Sequence, residues 1–207
     1  VVHSHSFTEG SPWRGKKALV LGTGNSGHDI AQELHSHGAD TTLIQRGSTT
    51  VVTVDPSAKL NYAIYDEGPL DDCDLLASAN TYPLVIRGYQ LAVERMVEFD
   101  KEMIAGLIAR GFKYDLGEDK TGHQMKYRRR GGGYYLDVGC AGLIIRGEIR
   151  LLQFDQIERF VPEGARLKDG SSRPADCLVL ATGYQTQQDL ARRLLGDGVA
   201  ERGGQVW

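Results

Sequence analysis

Cysteine is scarce in this chain. Cys73, Cys140 and Cys177 are an odd number with no CxxC spacing. A disulfide scaffold, a zinc site and a thioredoxin-like redox pair therefore lack their minimum set of thiols, and three reduced thiols in a cytoplasmic protein are expected. Long apolar runs are also missing. None approaches the roughly 20 residues that span a bilayer, so no membrane segment is predicted. The start, "VVHSHSFTEGSPWRG", has neither a basic n-region nor an apolar h-region, and no signal peptide is predicted. There is no excess of positive charge: the net charge is −3 and the pI about 6.1, which gives no support for bulk binding to nucleic acid. What remains, at 41% hydrophobic and 25% charged over 207 residues, is a globular composition long enough for one large domain or two small ones. Histidine clusters are absent too. His35 and His37 stand about 200° apart around a helix, and His3 and His5 have no carboxylate or cysteine close in sequence. No metal site is expected.

Glycine is where the sequence becomes specific. Ala18-Leu19-Val20-Leu21 is a short apolar run of the kind buried on both faces of a parallel sheet. It leads into Gly22-Thr23-Gly24-Asn25-Ser26-Gly27, and then Ile30, Ala31 and Leu34 recur at helical spacing up to Gly38. A second β-prone run, Thr41-Thr42-Leu43-Ile44, follows at once. Strand, glycine loop, helix and strand within about 30 residues is the setting that a dinucleotide-binding fingerprint requires. Gly22 permits the tight turn, Gly24 lets backbone approach a pyrophosphate, and Gly27 lets the helix pack on the sheet. Thr23 completes the loop, and Asn25 and Ser26 add donors at a helix N-terminus that favours phosphate. The same residues approach a G-x-S-x-G nucleophile elbow, but His28 stands where its last glycine must be.

The end of the second strand indicates which dinucleotide. NAD-selective domains place a carboxylate there for the ribose 2′-hydroxyl, whereas this chain has Gln45-Arg46, followed by Gly47-Ser48-Thr49. Arg46 can meet a 2′-phosphate bidentately, with Ser48 or Thr49 adding a hydroxyl, so NADP(H) is the expected ligand.

After Pro56 the rhythm lapses. Pro83 is expected to open one long helix to Gly111, with Leu84, Leu91, Met96, Phe99, Met103, Leu107 and Ile108 as an apolar stripe. The stretch "GFKYDLGEDKTGHQMKYRRRGGGYYLDVGCAG" reads as loop-rich, and its Arg128, Arg129 and Arg130 as a solvated or cofactor-edge loop rather than a nucleic-acid patch. Sheet character returns at Ile149–Leu152. Two β-like pieces follow around Ile157–Val161 and Ala165–Leu167, and Asp176–Leu180 forms a buried strand running into Ala181-Thr182-Gly183-Tyr184. The predicted fold is α/β: a three-layer Rossmann-like FAD/NAD(P)-binding domain of parallel sheet, helices and a small antiparallel β-meander, with a helical insertion.

With these motifs in order, the chain resembles the flavin-containing monooxygenases, class B flavoprotein monooxygenases, in their YUCCA-like bacterial branch. "GTGNSGHDIA" is similar to the family's second, NADPH-binding glycine motif, "QRGST" to its phosphate-reading segment, and "LVLATGY" to its late ATG-tyrosine motif. "LDVG" and "RGEIRL" resemble the path back into the sheet, and His3 and Phe7 match the last two fixed positions of the family's identifying fingerprint.

The resemblance implies an enzyme that reduces FAD with NADPH and uses O2 to oxygenate a small nucleophilic or carbonyl substrate. It implies nucleotide contacts at Gly22 to Gly27, Arg46, Ser48, Thr49 and Ala181, Thr182 and Gly183, with no acid–base catalyst in this chain. His3 and Phe7 brace a domain junction. The family carries two glycine loops and this chain one, so FAD is not expected to bind here. The expectation is an NADPH domain from a larger enzyme: residues 1–14 a linker, 15–184 the domain with 60–133 a divergent insertion, and 185–207 a segment returning toward an FAD domain. That domain, the substrate and O2 are the implied partners, with no nucleic acid and no membrane, and with dimerisation through the face left uncovered. The rival readings are an N-hydroxylating monooxygenase, a pyridine-nucleotide disulfide reductase and a non-catalytic NADP sensor.

Overall fold

The computed structural model describes residues 1–66 and 68–204, so Glu67 of the insertion and 205–207 of the return segment lie outside the described residues. In chain order the strands are β1 (Val2–His3), β2 (Lys17–Leu21), β3 (Asp40–Gln45), β4 (Thr50–Thr53), β5 (Tyr134–Asp137), β6 (Arg150–Gln153), β7 (Ile157–Val161), β8 (Gly164–Leu167), β9 (Ser172–Pro174) and β10 (Cys177–Leu180). The α-helices are α1 (Asn25–Ser36), α2 (Leu70–Ser78), α3 (Tyr82–Phe99), α4 (Lys101–Ala109), α5 (Gly122–Arg130), α6 (Cys140–Arg146), α7 (Gln187–Leu195) and α8 (Asp197–Gly203).

Five strands form one all-parallel sheet in the order β1-β10-β2-β3-β6. The apolar run at its centre is continuous because the pleat sends alternate residues to opposite faces, and both faces are covered. Ala18 and Val20 join Leu43 and Val179 in a core roofed by Ile30, Ala31 and Leu34 of α1 and Ala141 and Ile144 of α6. Leu19 and Leu21 join Ile44 on the other face, against Ala165 and Leu167 of the β7-β8-β9 antiparallel meander. Fully burying a side chain such as Leu34 contributes roughly 1.5–3 kcal/mol, so these two stripes fix the register of the layers. Helices, parallel sheet and meander are the three layers predicted.

Two expectations are corrected. The long helix from Pro83 is broken at Asp100 into α3 and α4. Asp100 is buried, and its carboxylate accepts from the Thr53 N–H (3.0 Å) and hydroxyl (2.7 Å), so a partner on β4 fixes the break. Of the proposed stripe, Met96 and Leu107 are buried while Leu84, Leu91, Phe99 and Ile108 are exposed. The segment read as loop-rich holds α5, β5 and the start of α6. Its strand β5 is stabilised by β4, its parallel partner some 80 residues earlier in the chain (Thr50 beside Tyr134), which is invisible to local pattern. No helix among the described residues is long and apolar enough to cross a membrane.

Tyr135 on β5 is wholly buried and stacks flat on His28 of α1, with ring centroids 3.9 Å apart. His28 Nδ1 donates to the Gly24 carbonyl at 3.1 Å, and Nε2 is buried with no hydrogen-bond partner among the described residues. Burial pushes the His28 pKa down to about 4, outweighing the Gly24 carbonyl and Asp137, which act in the opposite direction. Burial lowers His123 to about 4 as well. Because the folded pKa lies below the unfolded value near 6.5, the unfolded chain holds more protons between those values. Stability therefore rises with pH across that window and is complete above it, by about 3 kcal/mol for His28 alone. Denaturant unfolding from pH 4.5 to 7.5 should show this rise, and His28→Phe should cut it to roughly half, leaving the share of His123. Equal slopes in the two proteins would remove His28 as its source.

Candidate nucleotide site

The glycine loop leaves the C-terminal end of β2 at the middle of the sheet and enters α1. Its three glycines do different work. Gly22 has φ +123°, and a Cβ there would lie 2.1 Å from the Ala181 carbonyl oxygen. A Cβ on Gly27 would lie 2.0 Å from the Gly22 carbonyl oxygen, so the first turn of α1 rests directly on the loop backbone. Both positions must be glycine for the protein to close on itself. Gly24 is otherwise. Its φ of −82° suits any residue, and a Cβ there would meet only the Tyr134 carbonyl, at an ordinary 3.7 Å. Nothing in the fold requires glycine at that position, and the cradle above it is what a Cβ would fill.

Gly24 is the N-cap of α1 and offers no side-chain cap. The N–H groups of the first turn have no intrahelical acceptor by geometry, and the turn carries no acidic residue, so the end favours an anion. Ser26 is exposed there. Asn25 requires a correction. Its side-chain oxygen accepts from the Leu136 N–H at 2.9 Å and its amide bonds the Tyr134 hydroxyl, so it clasps β5 instead of presenting free donors.

Other candidates divide in the same way. Thr23 and Thr49 are buried and bond each other through their hydroxyls at 2.7 Å, tying the loop to the exit of β3. Their side chains are thereby engaged with protein; Ser48 is exposed at that exit, with its hydroxyl turned to the Asp115 carboxylate. Arg46 is exposed and pairs with no carboxylate among the described residues. Gln45 is fully buried: it accepts from the Lys113 N–H (2.7 Å) and from Gln153 (3.0 Å) and donates to the Lys113 carbonyl (3.0 Å). A carboxylate at that position would lose its donor role, which is a structural reason for the neutral residue.

Ala181 is corrected in role. It continues the β10 ladder by donating its N–H to Leu21 O (2.8 Å), and it packs on Gly22 and Gly27, so it closes the loop from behind. Thr182 and Gly183 are exposed beyond it. His3 Nε2 donates to the Gly183 carbonyl at 3.3 Å and its ring meets Tyr184 edge-on at 5.6 Å, so β1 and the ATG-tyrosine turn are joined. The three cysteines are buried and unbridged.

Sequence reasoning missed α5. A cavity of about 430 Å³ opens beside Gly47 and Ser48 and is lined by Asp115, Lys126, Arg129 and Arg130. The arginines sit on the last turn of α5, where the helix dipole favours cations, and not on a loop. Arg129 pairs with Asp119 at 2.8 Å, Arg130 pairs with Glu118, and Arg128 lies over the Tyr89 ring. The 60–133 stretch has no βαβ period, so nothing local pointed to this wall.

Fold and loop together define a three-layer, Rossmann-like α/β domain with a glycine loop at the C-terminal end of its central strand. The family described as pyridine nucleotide-disulphide oxidoreductase matches residues 1–67. Among curated proteins, the chain is 28% identical over 186 residues to an indole-3-pyruvate monooxygenase of Oryza sativa subsp. indica, YUCCA8, covering 89% of this chain and 39% of that protein. It is 27% identical over 187 residues to a probable indole-3-pyruvate monooxygenase of Arabidopsis thaliana, YUCCA1, covering 90% and 40%. A solved cyclohexanone monooxygenase mutant from Rhodococcus sp. Phi1, bound to NADP+, shares the fold with a TM-score of 0.54 at 18% identity, over 93% of this chain and 44% of that one. A cyclohexanone-bound cyclohexanone monooxygenase in the rotated conformation gives 0.57 at 15% identity, over the same shares of 93% and 44%. In sequence the chain is thus similar, below 30% identity, to flavin-dependent monooxygenases, and it shares the fold of two cyclohexanone monooxygenase structures. It spans about two fifths of the length of the curated relatives it matches.

The glycines separate fold from ligand. Gly24→Val should leave the melting temperature near that of the parent chain and abolish nucleotide binding, because the branched side chain fills the cradle. Gly22→Ala and Gly27→Ala should lower the melting temperature sharply, since each sets a methyl against a backbone carbonyl. Circular dichroism melts with nucleotide titration read both, and a folded Gly24→Val that binds normally would place the site elsewhere.

Proposed function

We propose that residues 15–184 form the NADP(H)-binding domain of a flavin-dependent monooxygenase, one that oxygenates a small nucleophilic or carbonyl substrate with O2. The observation that carries this reading is the cradle over Gly24, a glycine without a structural reason at the mouth of a helix that favours anions. The NADP+ held by the Rhodococcus neighbour supports the choice of ligand. The N–H groups at the start of α1 hold the pyrophosphate, and Ser26 flanks it. Arg46 meets the 2′-phosphate, its guanidinium unengaged by any carboxylate among the described residues. Flavin, when bound in the enzyme, supplies the redox chemistry. This chain orients the dinucleotide, and its contribution is positioning and electrostatics.

Two outcomes test the reading. Arg46→Ala removes one charge-assisted contact, worth about 1.5–3 kcal/mol, so NADPH should weaken about 10- to 150-fold. NADH, which has no 2′-phosphate, should be nearly unchanged. Equal weakening of both in a titration would make Arg46 structural. The sequence holds one glycine loop of this kind, and hydride transfer needs an acceptor held against the nicotinamide. The isolated chain should therefore bind NADPH, remain colourless after purification with added FAD, and consume no NADPH in air. A stoichiometric flavin band with steady NADPH oxidation would contradict this.

A further inference from the structure

The exit of β3 lacks a carboxylate in sequence but not in space. Asp115 lies at the cavity beside Ser48, and its carboxylate takes a hydrogen bond from the Ser48 hydroxyl. A carboxylate in that setting is what an NAD-selective domain uses to accept from the ribose 2′-hydroxyl and to repel a 2′-phosphate. It does not stand alone. Lys126 of α5, its side chain only 10% exposed, places Nζ 2.6 Å from Asp115 Oδ1 and donates to the Gly133 carbonyl at 2.9 Å. Burial would raise the Asp115 pKa, but hydrogen bonds from Lys126, Ser48 and the Gly117 N–H hold it below the usual carboxylate range, so the pair is ionic.

The pair borders the nucleotide cradle. Gly133 lines the cavity, and the next residue, Tyr134, is the one facing Gly24. Thr49, one residue beyond Ser48, is bonded to Thr23 of the glycine loop. Loop and cavity wall are thus joined through the β3 exit by the buried Thr23–Thr49 bond and through β5 by Gly133 and Tyr134. Arg129 and Arg130 line the same cavity, but each faces its own carboxylate, Asp119 and Glu118, so neither supplies uncompensated charge. The balance at Ser48 is therefore set by Lys126 against Asp115, with Arg46 as the remaining cation.

We propose that Lys126 determines nucleotide choice: by neutralising Asp115 from α5 it lets the Ser48 end of the site accept a 2′-phosphate, and without it the same carboxylate turns the site toward a 2′-hydroxyl. The proposal rests on the NADP(H) reading of the glycine loop. It adds a residue that the dinucleotide fingerprint does not contain, drawn from the insertion and not from the βαβ unit. The lysine acts on the phosphate through charge, and on the carboxylate through a direct hydrogen bond.

The test is the ratio of NADH to NADPH dissociation constants, measured by NADPH and NADH fluorescence titration of the whole chain. Lys126→Gln should lower the preference for NADPH about tenfold or more, mainly through NADPH, since the lysine's charge is lost and the repulsion of Asp115 uncovered. Asp115→Asn frees Lys126 and should raise the preference about threefold or more. The double variant, a neutral amide pair, should fall between them. A pair that only holds α5 against β4 would weaken both nucleotides together and leave the ratio where it was. Removing one member of a half-buried pair can still lower stability. Melting curves therefore accompany each titration, and where Lys126→Gln does not fold, Asp115→Asn decides. A ratio within about twofold of the parent in the deciding variant overturns the proposal. Gly24→Val separates the two levels. If the parent binds both nucleotides and Gly24→Val binds neither, an unchanged ratio refutes only the role of Lys126. If the parent binds neither nucleotide, the NADP(H) reading and this inference fall together.

Discussion

Everything in this domain hangs on a backbone-to-backbone contact at the C-terminal edge of the sheet. The Ala181 carbonyl presses on Gly22, and the Gly22 carbonyl presses on Gly27, at separations that no Cβ survives. That stack lets β2 and β10 end side by side while α1 begins above them. Without it the helix would stand off the sheet, and Ile30, Ala31 and Leu34 would lose the contacts with Ala18 and Val20 that close the helical core. The ATG turn and the glycine loop, far apart in sequence, are therefore two halves of one junction.

The same junction explains why so few side chains are left for a ligand. Thr23, Thr49, Asn25 and Gln45 all belong to the glycine loop, the start of α1 or the exit of β3, and the side chain of each is engaged by the protein. Their hydrogen bonds hold the loop, β3 and β5 in one piece, which is the rigidity a binding site needs. What faces outward is backbone at the start of α1, the open side of Gly24, Ser26, Ser48 and Arg46. A site made mainly of fixed N–H dipoles requires little reorganisation when an anion arrives.

The sequence was most legible where order along the chain and contact in space coincide. The β2–loop–α1–β3 unit is local, its apolar runs and its 3.6-residue helical period are clean, and its strands and helix fall within a residue or two of the expected spans. The meander was legible because its turns carry glycine and proline. The region from 60 to 133 was not. Asp100 breaks a helix because Thr53 needs its carboxylate, and Tyr134–Asp137 is a strand because Thr50–Thr53 lies beside it. Neither partner is near in sequence. Within the site, the motif already divided the glycines, Gly22 and Gly27 to the fold and Gly24 to the ligand, and the distances agree with that division for the fold. The contrast between Arg46, read from the strand end, and Asp115 and Lys126, brought there by the insertion, again follows nearness in sequence.

The central claim is that the cradle over Gly24 is a pyrophosphate site. The most direct measurement is a crystal structure of the chain grown with NADP+. Pyrophosphate density over Gly24, within hydrogen-bond reach of the N–H groups that open α1 and with the 2′-phosphate toward Arg46 and Ser48, is the expected result. Nucleotide seated elsewhere on the chain, with the N–H groups at Asn25 and Ser26 facing only solvent, would contradict it.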